Sequence, residues 1–463
     1  MLAHTLFILA LVAAPLTCKA QAADDYIQTS AAAPMAKSEE EAFYKVMQAI
    51  NYEVDWRTLY PDPCGGSSPQ GSSCDEVGGL WHLTSLSFGP VYENTPPCGR
   101  NASIDSSIVQ LTHLKSLSFY RCFTQANTSI PSEVASLKAS LKSLTLRDNG
   151  ALGGGIPAAF GGLLKLERLI ITGAKIEGSI PWELGQLQQL VQLDLSNNKL
   201  GGFIPSSLGK SLGNLVVLVL SNNCLIGNIP PSLGGLARME KLDISRNMLV
   251  GRIPLEMGFL ERLNLMDMSS NKLEGNIPSS FAGLARLQRL DLSHNSFKGA
   301  LLNGVWGSLR HLMSLDLSNA GFEGPIPSSF ASLESLRSLS LSNNKLSGGV
   351  PRGLGALSHL CSLHLSGNNL SGQLPFTPAF VEKLGSNLLL YGNKELCSMV
   401  PIVKPGVNNV RLCSNESTSD DQIAHQLSST STSLSHLQNG APCCRPRPFQ
   451  STLLYALLII ILF

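Results

Sequence analysis

From Leu117 onward one phrase returns about every 24 residues, and its clearest copies are LDLSNNKLGGFIP (193–205), LDISRNMLVGRIP (242–254), MDMSSNKLEGNIP (266–278) and LSLSNNKLSGGVP (339–351). Within the template LxxLxLxxNxLxGxIP the leucines alternate with polar residues over one short strand. Every copy therefore hides a single face and needs neighbours to bury it. No copy could fold alone.

The Asn column, Asn149, Asn198, Asn223, Asn247, Asn271, Asn295, Asn344, Asn368 and Asn393, stands where the chain leaves the strand. A buried amide there can bond to the backbone of the adjacent coil, and its loss would orphan partners at about 1–3 kcal/mol. The Ile-Pro column, Pro131, Pro157, Pro181, Pro205, Pro230, Pro254, Pro278, Pro327, Pro351 and Pro375, marks a bend after a second short extended segment on the flank. Its fixed phase excludes a structureless Pro/Gly linker. Repeats with LxGxIP at this period resemble the plant extracellular class of leucine-rich repeats. The expected fold is an α/β solenoid, a plant-type leucine-rich repeat right-handed superhelix with disulfide-bonded N- and C-terminal caps.

Residues 1–23 open with the apolar run Leu6 to Val12, then small residues and Ala20-Gln21-Ala22, and read as a secretory signal peptide. An N-terminal cap is expected over 24–110. In it Ser38-Glu39-Glu40-Glu41 forms a capping box, with Phe43, Val46, Met47, Ile50 and Val54 following at helical spacing. That helix would cover the open core of the first coil. The array is expected over 111–396, in about 11–12 repeats, with a C-terminal cap over 397–413. Residues 414–441 turn to Ser, Thr, Asp and Gln and read as a stalk.

The run TLLYALLIIILF (452–463) is shorter than the ~20 residues a spanning helix needs. Small residues Asn439, Gly440 and Ala441 precede it with a spacer, as in a GPI-type tail signal over 442–463 with lipid attachment at Asn439. Ser435 is a second acceptable attachment site. The alternative is a short spanning helix with lipidated Cys443 and Cys444.

Of eleven cysteines, six lie at the two ends of the array, in keeping with an oxidising compartment. Because exposed terminal coils need sealing, the pairs drawn are Cys64 with Cys74, Cys98 with Cys122, and Cys397 with Cys413. Cys224 and Cys361 lie about six repeats apart, roughly 29 Å at the spacing of parallel strands, beyond the ~7 Å reach of a disulfide. They are expected to be small, partly buried residues rather than redox groups. Sequons at Asn101, Asn127, Asn369 and Asn415 fit a secreted glycoprotein.

Catalytic patterns fail on inspection. Gly209-Lys210-Ser211 ends like a phosphate-binding loop, but Ile204 stands where the first glycine is required. Gly209 to Gly213 also spells GxSxG, in a connection between repeats rather than at a strand-to-helix elbow. The His residues are scattered and His359 and His364 split across strand faces, so no metal site, catalytic centre or cofactor is expected. A net charge of +1 with 14% charged residues gives no basic stripe for nucleic acid.

What remains is surface. A parallel sheet of about twelve strands would expose its x positions as the concave face that solenoids use for binding. Most of those positions carry the repetitive Asp and Ser of LDLS and read as solvated. The departures, Tyr120, Arg121, Arg147, Val219, Arg246, Leu265, His294 and His364, are the candidate contacts. The irregular stretch Gly299 to Trp306, and Ala174 and Ala320 in the Asn column, would change curvature locally, either as a docking site or as tolerated drift.

LYPDPCG (59–65), Gln70-Gly71, Cys74-Asp75, LWHLTSLSFG (80–89), LTHLKSLSFYRCF (111–123), GNNLSGQLPF and YGNKELC together resemble the Piriformospora indica-insensitive group of plant leucine-rich repeat receptor-like proteins, over roughly residues 38–400. The resemblance implies a membrane-attached ectodomain without a kinase, at the extracellular face of the plasma membrane, and a role in accommodating a root fungus. Its partners would be an extracellular protein, peptide or glycan ligand and a transmembrane receptor-like kinase. The competing expectation is a secreted inhibitor of a microbial cell-wall hydrolase, which needs no anchor.

Overall fold

The computed structural model describes residues 34–66, 68–91, 95–399 and 410–413. The expected signal peptide, stalk and tail signal, with Asn415, Ser435 and Asn439, lie outside them. Each LxL phrase forms a short strand, such as Ser116–Tyr120, Gln192–Asp194 and Arg289–Asp291. The strands pair in chain order into one 14-stranded sheet. Parallel pairing begins with Leu80–Phe88 against Ser116–Tyr120, inside the segment expected to be cap. Ahead of it, Ser72–Val77 pairs antiparallel with Leu80–Phe88. Gly78 and Gly79, with φ of 64° and 78°, make the two-residue turn that such a hairpin requires.

The middle apolar residues stack in register, Leu193 beside Leu218, Leu242, Met266 and Leu290, each fully buried. Burying such a side chain stabilises by about 1.5–3 kcal/mol, so the repeats cohere through one continuous apolar column. The Asn column serves the backbone beside it. Asn271 Nδ2 donates to the carbonyls of Ile244 and Met268 at 3.1 and 3.2 Å, while its Oδ1 accepts the Leu249 N–H at 3.0 Å. One amide thus links two coils.

The Ile-Pro column ends the flanking strands and caps a short helical turn. Pro254, with φ −61°, precedes Leu255–Phe259, and Pro278 precedes Ser279–Gly283. Successive turns pack so closely that a Cβ on Gly258 would lie 2.2 Å from the Ser280 carbonyl oxygen. Gly209 belongs to the same column, its virtual Cβ 2.3 Å from the Ser232 backbone. The glycine of the GKS and GxSxG phrases is therefore required by packing.

Where Ile-Pro is missing, the flank ladder breaks between Lys272–Glu274 and Glu323–Pro325 and is bridged by Ala300 to Glu323. Aromatic volume restores the core there. Buried Trp306 stands edge-on to Phe330 at 4.8 Å, and Phe297 stacks on Phe322 at 5.2 Å.

The cap helix, Lys37–Ile50, buries Phe43, Val46, Met47 and Ile50 against the first coil. The expected capping box does not form: Ala36 holds the N-cap position without a side-chain bond, and Ser38 lies within the helix. Glu39 is used elsewhere. Its Oε1 accepts the Leu83 N–H at 2.9 Å and its Oε2 lies 2.7 Å from His82 Nδ1, while Glu41, the carboxylate the box would have used, pairs with the Arg57 guanidinium at 2.6 Å. Disulfides join Cys64 to Cys74, Cys98 to Cys122, and Cys397 to Cys413. Cys224 and Cys361 carry thiols, Cys224 exposed and Cys361 with its Sγ 3.3 Å from the His359 carbonyl. Among the described residues no helix is long and apolar enough to cross a membrane.

Candidate ligand-binding face

Strand register turns the repeat into rows of side chains across the sheet. In the position after the buried central leucine the row reads Thr145, Ile170, Asp194, Val219, Asp243, Asp267, Asp291, Asp316, Ser340, His364. Four consecutive strands thus place Asp243, Asp267, Asp291 and Asp316 side by side, at the ~4.8 Å strand spacing. Each offers Oδ1 to the serine two residues on: Ser245, Ser269, Ser293 and Ser318 donate both N–H and Oγ–H, the hydroxyls at 2.7, 2.6, 2.6 and 2.6 Å. The second oxygens have other partners, Ser221 Oγ at 3.1 Å from Asp243 and the Arg289 guanidinium at 3.6 Å from Asp291.

The row is not simply solvated, as the LDLS repetition suggested. Asp194 is buried, and the other four are half-buried. Burial, reinforced by the charges of Asp291 and Asp243, raises the Asp267 carboxyl to about 6. Burial likewise raises Asp194 and Asp291, against the stabilising bonds of Ser196 and Ser293. At the far end burial lowers His364, opposed by Asp316, while Ser362 Oγ lies 3.1 Å from its Nε2. A carboxylate row with raised values gains from any cation that approaches it.

The eight sequence-derived candidates do not converge. Tyr120, Arg121 and Arg147 gather near one end: Tyr120 and Arg147 are in register, and the Arg121 guanidinium lies 5.1 Å from the Tyr120 ring and 3.7 Å from Asp148. Arg246 and His294 are exposed and occupy the left-handed turn after their strands, with φ of 53° and 54°. Leu265 is half-buried between Lys241 and Arg289 in the first row. Val219 is no contact: it is 1% exposed, enclosed in register by Asp194 and Asp243. From the Tyr120 strand to the His364 strand there are ten strand steps, or ~48 Å. The central group, Arg246, Leu265 and His294, borders the Asp row.

Asn101, Asn127 and Asn369 are all exposed and lie off the large sheet. Sequence patterns indicated no metal ligands, yet among the described residues Glu39, His82 and His113 bring three donor atoms within 4.8 Å of one another. No linear motif joins them, because the carboxylate and His82 are 43 residues apart on elements that meet only in the fold.

Leucine-rich repeat family profiles match residues 255–297 and 310–370, and further repeats at 189–211 and 214–236. Piriformospora indica-insensitive protein 2 of Arabidopsis thaliana is 39% identical over 147 residues, 31% of this chain and 35% of that protein. Receptor like protein 29 of the same plant is 39% identical over 143 residues, 30% of each chain. The chain thus spans about a third of the length of the curated relatives it matches. Among solved structures, the leucine-rich repeat ectodomain of the Arabidopsis receptor kinase HAESA, in complex with an extended IDA peptide hormone ligand, aligns with a TM-score of 0.58 and 26% identity over 78% of this chain and 57% of that one. By its repeats, its parallel-strand solenoid and the matching profiles, the chain carries a leucine-rich repeat array, and over about a third of its length it is similar to plant receptor-like proteins.

Proposed function

We propose that this chain is a non-catalytic cell-surface receptor-like protein whose strand face binds an extracellular ligand, foremost a peptide with basic groups, and which signals through a partner transmembrane kinase. The observation that carries the reading is the half-buried row Asp243, Asp267, Asp291 and Asp316, an acidic track four strands long on an otherwise mixed surface. Sequons placed off the sheet would leave that face clear of glycans. The likeness to a peptide-bound ectodomain supports a peptide over other ligands. A kinase partner would respond to the occupied face by binding it with different affinity. Resemblance to Piriformospora indica-insensitive protein 2 supports a response to a root fungus as the output.

The test is a titration of the secreted chain with matched synthetic peptides rich in Lys/Arg or in Glu. The basic set should bind, more weakly as salt rises. The double variant Asp267→Asn, Asp291→Asn should lose about tenfold in affinity. Equal binding of both sets, or an unaffected double variant, contradicts the reading. Membrane attachment at Asn439 is checked separately: phosphatidylinositol-specific phospholipase C should release an amino-terminally tagged copy from plant cells, whereas retention would point to a spanning tail.

A further inference from the structure

We propose that Glu39, His82 and His113 form a divalent-metal site, suited first to Zn²⁺, that staples the cap helix to the first turns of the solenoid. The three residues come from three segments: the first turn of the Lys37–Ile50 helix, the Leu80–Phe88 strand, and the connection before Ser116–Tyr120. Their donor atoms already lie within 4.8 Å of one another. Two imidazoles and one carboxylate are the donor set of a borderline divalent ion.

The surroundings hold the donors in place. Glu39 Oε1 is fixed by the Leu83 N–H at 2.9 Å, leaving Oε2 facing His82 Nδ1 at 2.7 Å. The His113 ring lies 3.8 Å from the His82 ring, and its Nδ1 is 3.3 Å from Thr112 Oγ1, which leaves Nε2 to ligate. Such outer bonds orient ligands in built metal sites. The Glu39 and His82 side chains are 5% and 12% exposed, while half-buried His113 gives access from solvent. Donors around Zn²⁺ at about 2.0–2.2 Å sit roughly 3.3 Å apart, so a pair at the 4.8 Å limit must close by about 1.5 Å. On binding, the ion takes the place of the proton between Glu39 and His82: from an imidazolium that proton leaves to solvent, and from a neutral ring it moves to Nε2. Three protein ligands leave a fourth position for water or a donor from a partner.

The full chain, stripped with a chelator and dialysed, is titrated with Zn²⁺ alone and then unfolded by heat. One equivalent should bind and raise the midpoint by roughly 2 °C or more. His113→Asn, at the accessible edge, should keep the metal-free midpoint but weaken binding at least about tenfold. Cys224→Ser should bind like the parent, which excludes the exposed thiol as the ligand. Absence of saturable binding, or equal binding in His113→Asn, would show that the cluster is only an ion pair with a stacked ring.

Discussion

Asn271 is bonded to two coils at once, and its neighbours in the column repeat the arrangement along the solenoid. Asn271→Ala would strand the Leu249 N–H and two carbonyls in the core, so it should destabilise by about 1–3 kcal/mol, read as a lower urea midpoint. An unchanged midpoint would mean that water replaces the amide. Gly258 is constrained from the other side of the repeat, by the carbonyl its Cβ would strike. Gly258→Ala should cost about 1–3 kcal/mol, whereas Gly162→Ala, with nothing within 4 Å, should be close to neutral. Both columns were legible in the sequence because their phase never drifts. The burial of Val219 was not, since it depends on Asp194 and Asp243 standing beside it on other strands.

Each strand contributes one carboxylate, and the row acquires properties that no single strand has. The Asp267 carboxyl is raised from 3.8 to about 6 by burial and by its two neighbours. A raised folded value means that protonation favours the fold. This group's contribution is fully present below pH 3.8 and is lost as the pH rises through about 6. Asp267→Asn retains the oxygen that accepts from Ser269, so it should be more stable than the parent at pH 7. The difference should shrink to nothing below about pH 4, followed by urea midpoints across that range. A constant difference would contradict the coupling within the row. The LDLS phrase displayed these aspartates openly. Their depth in the sheet was hidden because burial is set by the adjacent coil. The capping box failed because the helix starts earlier, with Ala36 at the N-cap and Ser38 inside it, and Glu41 pairs instead with Arg57 from the following segment.

Across the whole molecule, a sealed solenoid presents one long strand face, with candidate contacts spread over ~48 Å of it. The repeat period determined the architecture, and the clustering of cysteines at its ends indicated the three disulfides. Convergence of side chains was beyond the sequence: it disperses the eight candidates, and it assembles Glu39, His82 and His113 from separate segments. The central claim is that ligand binds over the Asp row. A basic peptide from the titration, carrying a photo-reactive residue, is irradiated on the secreted chain and the adducts are mapped by mass spectrometry. Adducts should fall on the strands Lys241–Asp243 to Ser314–Asp316 and the turns that follow them. Adducts confined to the short helical turns after the Pro column, such as Leu255–Phe259, would place the ligand on the opposite face and contradict the claim.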